Sequence, residues 1–354
     1  MVSLFFLYVS KHYLKNILIM LLGLSGLFTG IDLLLNAGSI PSFNLKILYS
    51  FYMWQESLNL LYPLAIVFAG IMTKIIFIKH SAIGSFYALG ISRKRLFLPF
   101  FVIGFGIYFI FFGLNFTSFA NAKESAYIIL KKKKLSDENK DMFFKYNDSF
   151  VYIKEMNSNI KTINDLSIFE IKEHKVLRVI EASQAQFMGD KWIAKDIIIK
   201  EKISDNNGSF KLGIKKMATL ETLKGYKPQI LQSLYYDRVL NLNDMLEAKK
   251  LLEAQKISTQ KIKADMYQKV VVPLFSIALL MIIFFKMPFH ARYMNISLVS
   301  AVSIGGTLIF WGLLFALHRV AQNSVIAPEI ALIAPIILIF IYAFYQLSIV
   351  SKKI

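Results

Sequence analysis

The sequence contains one string that resembles a catalytic motif. Gly23-Leu24-Ser25-Gly26 has the G-x-S-G form, and an intramembrane serine protease would use such a serine as its nucleophile. His318 is the candidate base, but the two side chains would have to be in contact. Glycine and serine are also small residues that let membrane helices pack closely. Helix packing is the favoured interpretation, and the protease is kept as an alternative.

Other signatures of catalysis and metal binding do not occur in the sequence. It has no G-x-x-x-x-G-K-[ST] phosphate-binding loop and no H-E-x-x-H zinc motif. The five histidines are scattered without a pair at i, i+4, and there is no cysteine. We therefore expect no enzyme activity, no cofactor and no metal site of these kinds.

Long apolar runs predict that most of the chain lies in a membrane. Hydrophobic residues occupy 56% of the 354 positions, more than is usual for a soluble domain. A helix needs roughly 20 apolar residues to cross the hydrocarbon core of a bilayer. Six windows qualify: Tyr13–Leu35, Leu58–Ile78, Phe97–Phe119, Met266–Phe285, Tyr293–Leu317 and Pro328–Val350.

The distribution of charge predicts the topology. The net charge of +18 is concentrated in the short connection after the second window and near both ends of the chain, which argues against a nucleic-acid-binding surface. Short cytoplasmic loops hold such an excess of Lys and Arg. We expect both termini in the cytoplasm and the central residues 120–265 outside.

The central segment changes from helical to strand-like patterns. Short β-rich runs alternate with turn residues, which predicts a sandwich, jelly roll or open barrel. A turn at Asp205–Gly208 precedes the last run, and a helix with Asn243 as its N-cap follows the strands. The predicted strands are Phe150–Ile153, Leu166–Ile171, Val176–Ile180, Lys191–Lys200 and Ser209–Ile214.

The stretch Lys79–Leu96, after the second window, is polar and mildly amphipathic. Gly90 should break its helix, and Ser92 can cap the helix that follows. One interpretation is an interfacial helix that places Arg93–Arg95 against anionic lipid. The other is a docking helix for a cytoplasmic partner. Its apolar face would consist of Ile83, Phe86, Tyr87 and Leu89.

Several short strings occur in a recognisable order along the chain. They are Leu24-Ser25-Gly26 with Ile31-Asp32, Ala88-x-Gly90-x-Ser92-Arg93, Phe150-Val151-Tyr152-Ile153, Tyr267-x-Lys269 with Pro273-Leu274, and Ala327-Pro328 with Ala334-Pro335. Together with the plan of three spans, a β-rich segment, a short helix and three more spans, this order resembles the LptF/LptG permeases of lipopolysaccharide export. The likeness runs through nearly the whole chain and is closer to LptG.

The resemblance implies a non-catalytic permease subunit of an ABC transporter in the bacterial inner membrane. Such a subunit extracts lipopolysaccharide and passes it to a periplasmic bridge. The implied partners are a second LptF-type permease, a cytoplasmic LptB-type ATPase that hydrolyses ATP, and periplasmic LptC/LptA-type jelly-roll proteins. The fold class is membrane α-helical, with six transmembrane helices and an inserted jelly-roll-like periplasmic domain.

This organisation divides the chain into four parts. Residues 1–119 hold the first three transmembrane helices and a coupling helix at about 79–96. Residues 120–240 form the periplasmic β domain, residues 241–265 a helical connector, and residues 266–354 the last three transmembrane helices.

The resemblance also implies sites. Coupling to the ATPase would use Phe86, Ala88, Gly90, Ser92 and Arg93. The substrate path would use Thr29 and Asp32 in the first span, and Phe150, Tyr152, Phe169, Phe187 and Trp192 in the β domain. Strand alternation turns either Phe150 and Tyr152 or Val151 and Ile153 inward, and we favour the first pair. An ordinary packed core is the alternative for each of these residues.

The sequence departs from the family pattern at two places. The first-span lysines that meet lipid phosphates in LptG correspond here to Thr29, Leu35 and Asn36, and the coupling-helix glutamate corresponds to Ala82. Lys46, His318 and Arg319 are the candidate replacements for contacts with phosphate. A membrane scaffold or sensor with a β ligand-binding domain is the alternative outside transport.

Overall fold

The computed structural model describes residues 4–130, 140–157, 160–172, 175–204, 210–231, 240–288 and 295–352. It divides into two compact units. The membrane unit comprises Met1–Ala126 and Gln260–Ile354, and the β unit comprises Tyr127–Thr259. These boundaries differ from the predicted limits at 120 and 265, and the predicted turn at Asp205–Gly208 lies outside the described residues.

Helices make up the membrane unit. Their bounds are α1 Leu4–Asn36, α2 Phe43–Lys79, α3 Ala82–Ala88, α4 Arg93–Leu114, α5 Ala122–Leu130, which runs on past the unit boundary, α7 Gln260–Val270, α8 Phe275–Lys286, α9 Ile296–Gln322 and α10 Ala334–Lys352. Within the described residues, six helical segments are long and apolar enough to cross a membrane. This confirms the six predicted transmembrane helices as candidates by length and composition.

The fourth and sixth candidate spans are irregular. The fourth consists of α7 and α8 joined by a short 3₁₀ segment, Val272–Leu274. Pro273 has no backbone N–H and cannot continue the regular hydrogen bonding of α7. The sixth begins with a π-helical turn, Glu329–Ile333, that leads into α10. Helix α2 has 37 residues and is therefore about 55 Å long, well beyond a hydrocarbon core of about 30 Å.

Helix α2 forms the centre of the membrane unit, and its apolar window is the most buried of the six. Several hydrogen bonds attach it to α1, two of them in the C-terminal half of α2. The hydroxyl of Tyr13 donates to the carbonyl of Ile66 over 2.9 Å, and Asn16 Nδ2 donates to Thr73 Oγ1 over 2.8 Å. Buried polar groups need such partners in an apolar interior, so these bonds fix how α1 lies against α2.

The β unit is built on one antiparallel sheet. Its strands are β1 Lys140–Tyr146, β2 Ser149–Asn157, β3 Thr162–Lys172, β4 Lys175–Met188, β5 Lys191–Ser204 and β6 Phe210–Thr222, and they pair in the order of the sequence. The inserted β domain is thereby confirmed at this level. Strand β1 was not among the predicted strands, and β4 and β6 extend well beyond their predicted ends.

A row of left-handed residues crosses the sheet. Asp141, Asp165 and Asp196 lie on β1, β3 and β5 with φ of 58°, 52° and 53°, and the strand pairs on both sides of them stay in register. The row changes the alternation of buried residues on β2 to β5. On β2, for example, Ile153 and Met156 both face the core although three positions separate them.

A helix follows the sheet within the β unit. Helix α6, Leu242–Ala254, is capped by Asn241, whose side chain accepts a hydrogen bond from Asp244 N over 2.8 Å. The prediction of Asn243 as the cap is therefore wrong by two residues. Leu251 of α6 packs against the core of the sheet.

Candidate functional site

The predicted coupling segment folds as expected around its two break points. Helix α3 ends at Ala88, and Gly90 follows with φ of 75°, a conformation that glycine adopts without steric cost. The side chain of Ser92 accepts a hydrogen bond from Arg95 N over 3.4 Å and caps α4. The predicted break and cap are both confirmed.

The apolar face of α3 points into the protein. Ile83 is 1% exposed, and the ring of Phe86 packs against Phe5, Tyr8 and Phe77, with centroid distances of 5.0, 6.2 and 6.1 Å. The prediction that this whole face is available to a partner is therefore wrong, because the same pattern also fits packing against α1 and α2. The residues of the segment that are exposed are Lys79, His80, Ser81, Ser85, Ala88, Leu89, Gly90, Lys94 and Arg95.

Arg93 is oriented by a neighbour on α3. It forms a side-chain hydrogen bond with the hydroxyl of Tyr87. This bond links the start of α4 to α3 across the turn at Gly90. Of the predicted coupling residues, Phe86 and Arg93 thus hold the segment in shape, whereas Ala88 and Gly90 lie at its exposed tip.

Polar residues join α1 to α2 near the C-terminal end of α1. Thr29 Oγ1 lies 3.1 Å from Ser57 Oγ, and Thr29 is buried. The carboxylate of Asp32 accepts a hydrogen bond from the hydroxyl of Tyr49, and Asn36 Nδ2 donates to the same hydroxyl over 3.2 Å. Asp32 and Asn36 are partly exposed, so a ligand can reach these two members of the group.

The serine-protease pair is not formed. Ser25 Oγ accepts a hydrogen bond from Trp54 Nε1 over 3.1 Å and is fully buried between α1 and α2. His318 Nε2 lies 2.9 Å from Asp265 Oδ1. Since Ser25 and His318 each have another partner, the small-residue packing interpretation accounts for the G-x-S-G string.

The three candidate phosphate contacts differ in accessibility. His318 is 8% exposed and bound to Asp265, so it is not presented to a ligand. Arg319 is exposed, donates to Gln322 Oε1 over 3.1 Å and lies over the ring of Phe315. Lys46 is partly exposed on the first turns of α2.

A polar cluster that the sequence analysis missed lies where α7, α9 and the π-helical turn meet. Lys263 Nζ pairs with Glu329 Oε1 over 3.1 Å, and the hydroxyl of Tyr267 donates to the same oxygen over 3.3 Å. Gln322 Nε2 donates to Asp265 in the same region. The string Tyr267-x-Lys269 was the part of the sequence analysis that pointed to this region. It includes neither Lys263 nor Glu329.

In the β unit, the favoured inward pair is wrong. Val151 and Ile153 are both 0% exposed in the core of the sheet. Phe150 and Tyr152 lie on the opposite face, where Phe150 stacks on Phe143 with 5.4 Å between ring centroids. The hydroxyl of Tyr152 donates to the Asp141 carboxylate, and this hydrogen bond raises the pKa of the Tyr152 phenol.

The five predicted path residues of the β unit therefore divide between two faces. Phe169 pairs with Phe150 on the face opposite the core. Trp192 is fully buried in the core, and Phe187 packs against it with 5.3 Å between ring centroids. Only Phe187 and Trp192 share the core face with Val151.

Residues after β6 pack against β1. Trp192 Nε1 donates to the Tyr226 carbonyl over 2.7 Å, and the Tyr226 hydroxyl donates to the Lys145 carbonyl over 3.1 Å. Lys224 N donates to the Tyr146 hydroxyl over 3.3 Å. The segment that follows the last strand thus returns to the first, and the core between them is enclosed.

Comparison with known families gives one extensive match. The model of the lipopolysaccharide export system permease LptF/LptG matches residues 7–348. No curated protein matches the chain. The matched range covers nearly all of both helical parts of the membrane unit and the whole β unit. The chain therefore belongs to the LptF/LptG family of lipopolysaccharide export permeases.

Proposed function

We propose that this chain is an LptG-type permease subunit of an ABC transporter that extracts lipopolysaccharide from the bacterial inner membrane. A separate LptB-type ATPase supplies the energy, and a periplasmic bridge receives the lipid. The observation that carries the proposal is the family match over residues 7–348. It is supported by six candidate spans with a six-stranded sheet inserted between the third and fourth.

The ATPase docks on the exposed tip of the coupling segment. Ala88, Leu89 and Gly90 form this tip, and Leu89 is 77% exposed. Lys94 and Arg95 flank it on the first turn of α4. Both termini and this segment lie in the cytoplasm, in line with the excess of Lys and Arg in the short loops.

A second, LptF-type permease completes the membrane part. Helices α1 and α9 leave most of their apolar windows exposed, in contrast to α2. Large exposed apolar surfaces serve either lipid or a partner helix in a membrane protein. A cavity that extracts lipid needs a surface for the lipid and a surface for the partner helix. Helix α1 also carries Asp32 toward its outer end. Arg319 and Lys46 are the accessible cations for lipid phosphates, whereas His318 positions Asp265.

The β unit is a jelly roll that contributes to the periplasmic bridge. The contacts of Tyr226 with β1 and with Trp192 support this assignment, because they enclose the core of the sheet. Among the described strands, β1 and β6 each pair with one neighbour. An unpaired edge can add another strand, and β6 also exposes the side chains of Leu212 and Ile214. The edge of β6 is therefore the surface that binds an LptC/LptA-type domain.

The acyl chains follow the core face of this roll. Val151, Ile153, Phe187 and Trp192 line that face, so Phe150, Tyr152 and Phe169 are outside the path. The core is packed in this structure, and the chains enter where the first and last strands are not paired with each other. This replaces the pair favoured from the sequence.

A photo-crosslinking experiment tests the path and the function together. A photoreactive residue replaces Ile153 on the core face or Tyr152 on the opposite face, in cells that depend on the chain for export. Lipopolysaccharide adducts are expected at position 153 and not at 152. Adducts at neither position, in an assembly that exports, would overturn the path. Failure of an ATPase to co-purify with the wild-type chain would favour the scaffold or sensor instead.

A further inference from the structure

A groove runs along the C-terminal half of α2, between α1 and α9. Six residues of α2 between Phe68 and Lys79 line it, together with Met20 of α1 and Ser300 and Ile304 of α9. All of these residues lie in the membrane unit. The lining is apolar except for Ser300 and for Lys79, which stands at one end of the groove. The groove has a volume of about 370 Å³.

The length and lining of the groove suit an acyl chain. The rise from Phe68 to Lys79 along an α-helix is about 16 Å, close to half of a hydrocarbon core of about 30 Å. The groove follows this length with an apolar lining and a volume of about 370 Å³. Carbon atoms of a single acyl chain approach others to about 4 Å, so one chain can contact the lining along the groove.

The charge at the end of the groove selects the headgroup. Lys79 is the last residue of α2 and is exposed. The groove is apolar up to this point, and no acidic side chain is among its lining residues. An ammonium group at the membrane surface attracts anionic lipids. The groove is about as long as one leaflet is deep, and Lys79 stands at its end. The proposed topology places Lys79 at the cytoplasmic face, so the groove lies in the inner leaflet.

We propose that this groove binds one acyl chain of an anionic phospholipid from the inner leaflet, with the lipid phosphate at Lys79. The site is distinct from the proposed lipopolysaccharide path, which uses the outer half of α1 and the β unit. The bound lipid separates α1 from α9 along the inner half of the membrane. The two helices whose apolar surfaces are most exposed are thus kept apart by a lipid that is not the cargo.

Tryptophan quenching by brominated lipids tests the proposal. The variant Met72→Trp places a reporter in the groove, and Ile76→Trp is a second reporter in case the first perturbs folding. Each is introduced into the full chain, purified with its partners and titrated with brominated phosphatidylglycerol or phosphatidylcholine. The wild-type signal from Trp54, Trp192 and Trp311 is subtracted. Quenching of the groove reporter is expected at a several-fold lower mole fraction of phosphatidylglycerol than of phosphatidylcholine.

Two matched controls make the result specific. Lys79→Gln should reduce the preference for phosphatidylglycerol about fivefold, the effect of one interfacial charge, whereas Lys11→Gln should leave it unchanged. Leu313→Trp, on the exposed surface of α9, reports lipid that merely surrounds the protein and should show no headgroup preference. Equal quenching of the groove reporters by both lipids, or no quenching by either, would overturn the proposal. Reporter fusions test the topology separately. A failure of the lipid site can therefore be distinguished from a failure of the proposed topology.

Discussion

The ring of Phe86 in α3 packs edge-on against the ring of Phe5 in α1, with 5.0 Å between the ring centroids. Tyr8 and Phe77 complete the cluster, so the N-terminal end of α1 and the coupling helix share one packed core. A displacement of α3 by the proposed ATPase would therefore act directly on α1. The other end of α1 carries Asp32. The contact with the coupling helix and the proposed contact with the lipid therefore lie on a single helix.

The first prediction concerns this aromatic cluster. Phe86→Ala removes a partly buried ring and should cost about 1–3 kcal/mol locally, because truncation leaves a cavity. The ATPase should still bind to the exposed tip. The amount of lipopolysaccharide released per ATP hydrolysed should fall, and Phe86→Leu should restore part of it. Leu89→Ala is the control, since it should weaken ATPase association without changing that ratio. Equal ratios for Phe86→Ala and wild type would contradict direct coupling through the cluster.

The second prediction concerns the two faces of β2. Ile153→Asp places a charge in a closed apolar core, which costs several kcal/mol without a partner. The β unit should then lose its resistance to proteolysis in the intact protein. Tyr152→Ser, one residue away on the other face, should leave that resistance within experimental error of wild type. If both variants were equally resistant, the core face would be open rather than packed.

These two faces show where prediction from sequence succeeds and where it fails. The six spans could be predicted because a run of roughly 20 apolar residues has few alternatives to a membrane helix. The inward face of β2 could not, because alternation in Phe150–Ile153 defines two sets of residues and both sets are apolar or aromatic. The change of alternation after Ile153, at the row of Asp141, Asp165 and Asp196, could not be predicted either. No local rule marks an aspartate in a strand as left-handed before the neighbouring strands are known.

The coupling helix illustrates a different limit. The sequence predicts an amphipathic helix, a break at Gly90 and a cap at Ser92, and the structure confirms the break and the cap. An amphipathic pattern shows that one face will be covered, but it does not show by what. Here Phe86 and Ile83 are covered by the chain itself. The prediction of the α6 cap was wrong for a simpler reason. Asn241 and Asn243 are equally good capping residues, and only the hydrogen bond from Asp244 N to Asn241 distinguishes them.

The third prediction concerns the left-handed row. Asp165 has φ of 52°, a region that β-branched residues strongly disfavour. Asp165→Val should destabilise the β unit by about 1–2 kcal/mol, whereas Asp165→Gly should be tolerated. The resistance of the β unit to proteolysis in increasing concentrations of denaturant, in the intact protein, measures both. Lys154→Ala removes the exposed ion pair with Asp165 and should cost less than about 1 kcal/mol. A larger loss for Lys154→Ala than for Asp165→Val would assign the effect to charge rather than to backbone conformation.

The fourth prediction concerns topology. A reporter fused to the C-terminus should read as cytoplasmic, and one inserted at Gly189, in the exposed turn between β4 and β5, should read as periplasmic. The reason is the concentration of Lys and Arg in the short loops on one side of the spans. A cytoplasmic signal from the insertion at Gly189 would overturn the arrangement of all six spans and the leaflet assigned to the α2 groove.

The last prediction concerns the closure of the β unit. The Tyr226 hydroxyl donates to the Lys145 carbonyl, and Lys224 N donates to the Tyr146 hydroxyl. Tyr226→Phe keeps the ring on Phe144 but loses the first bond, so it should cost about 0.5–1.5 kcal/mol. Amide exchange in β1 should become faster by a corresponding factor, as measured by mass spectrometry on the full chain.

A cross-link at the same place separates a structural closure from an entrance for lipid. The chain has no cysteine, so the pair Tyr146→Cys with Lys224→Cys can be joined selectively by a short bis-thiol reagent. If acyl chains enter between β1 and the segment after β6, the cross-link should stop export, and cleavage of the reagent should restore it. The pair Lys154→Cys with Asp165→Cys, on neighbouring strands away from this closure, is the matched control and should export when cross-linked. Undiminished export by the fully cross-linked first pair would show that the lipid does not pass there, because a covalent closure leaves the packed core no other opening at that edge.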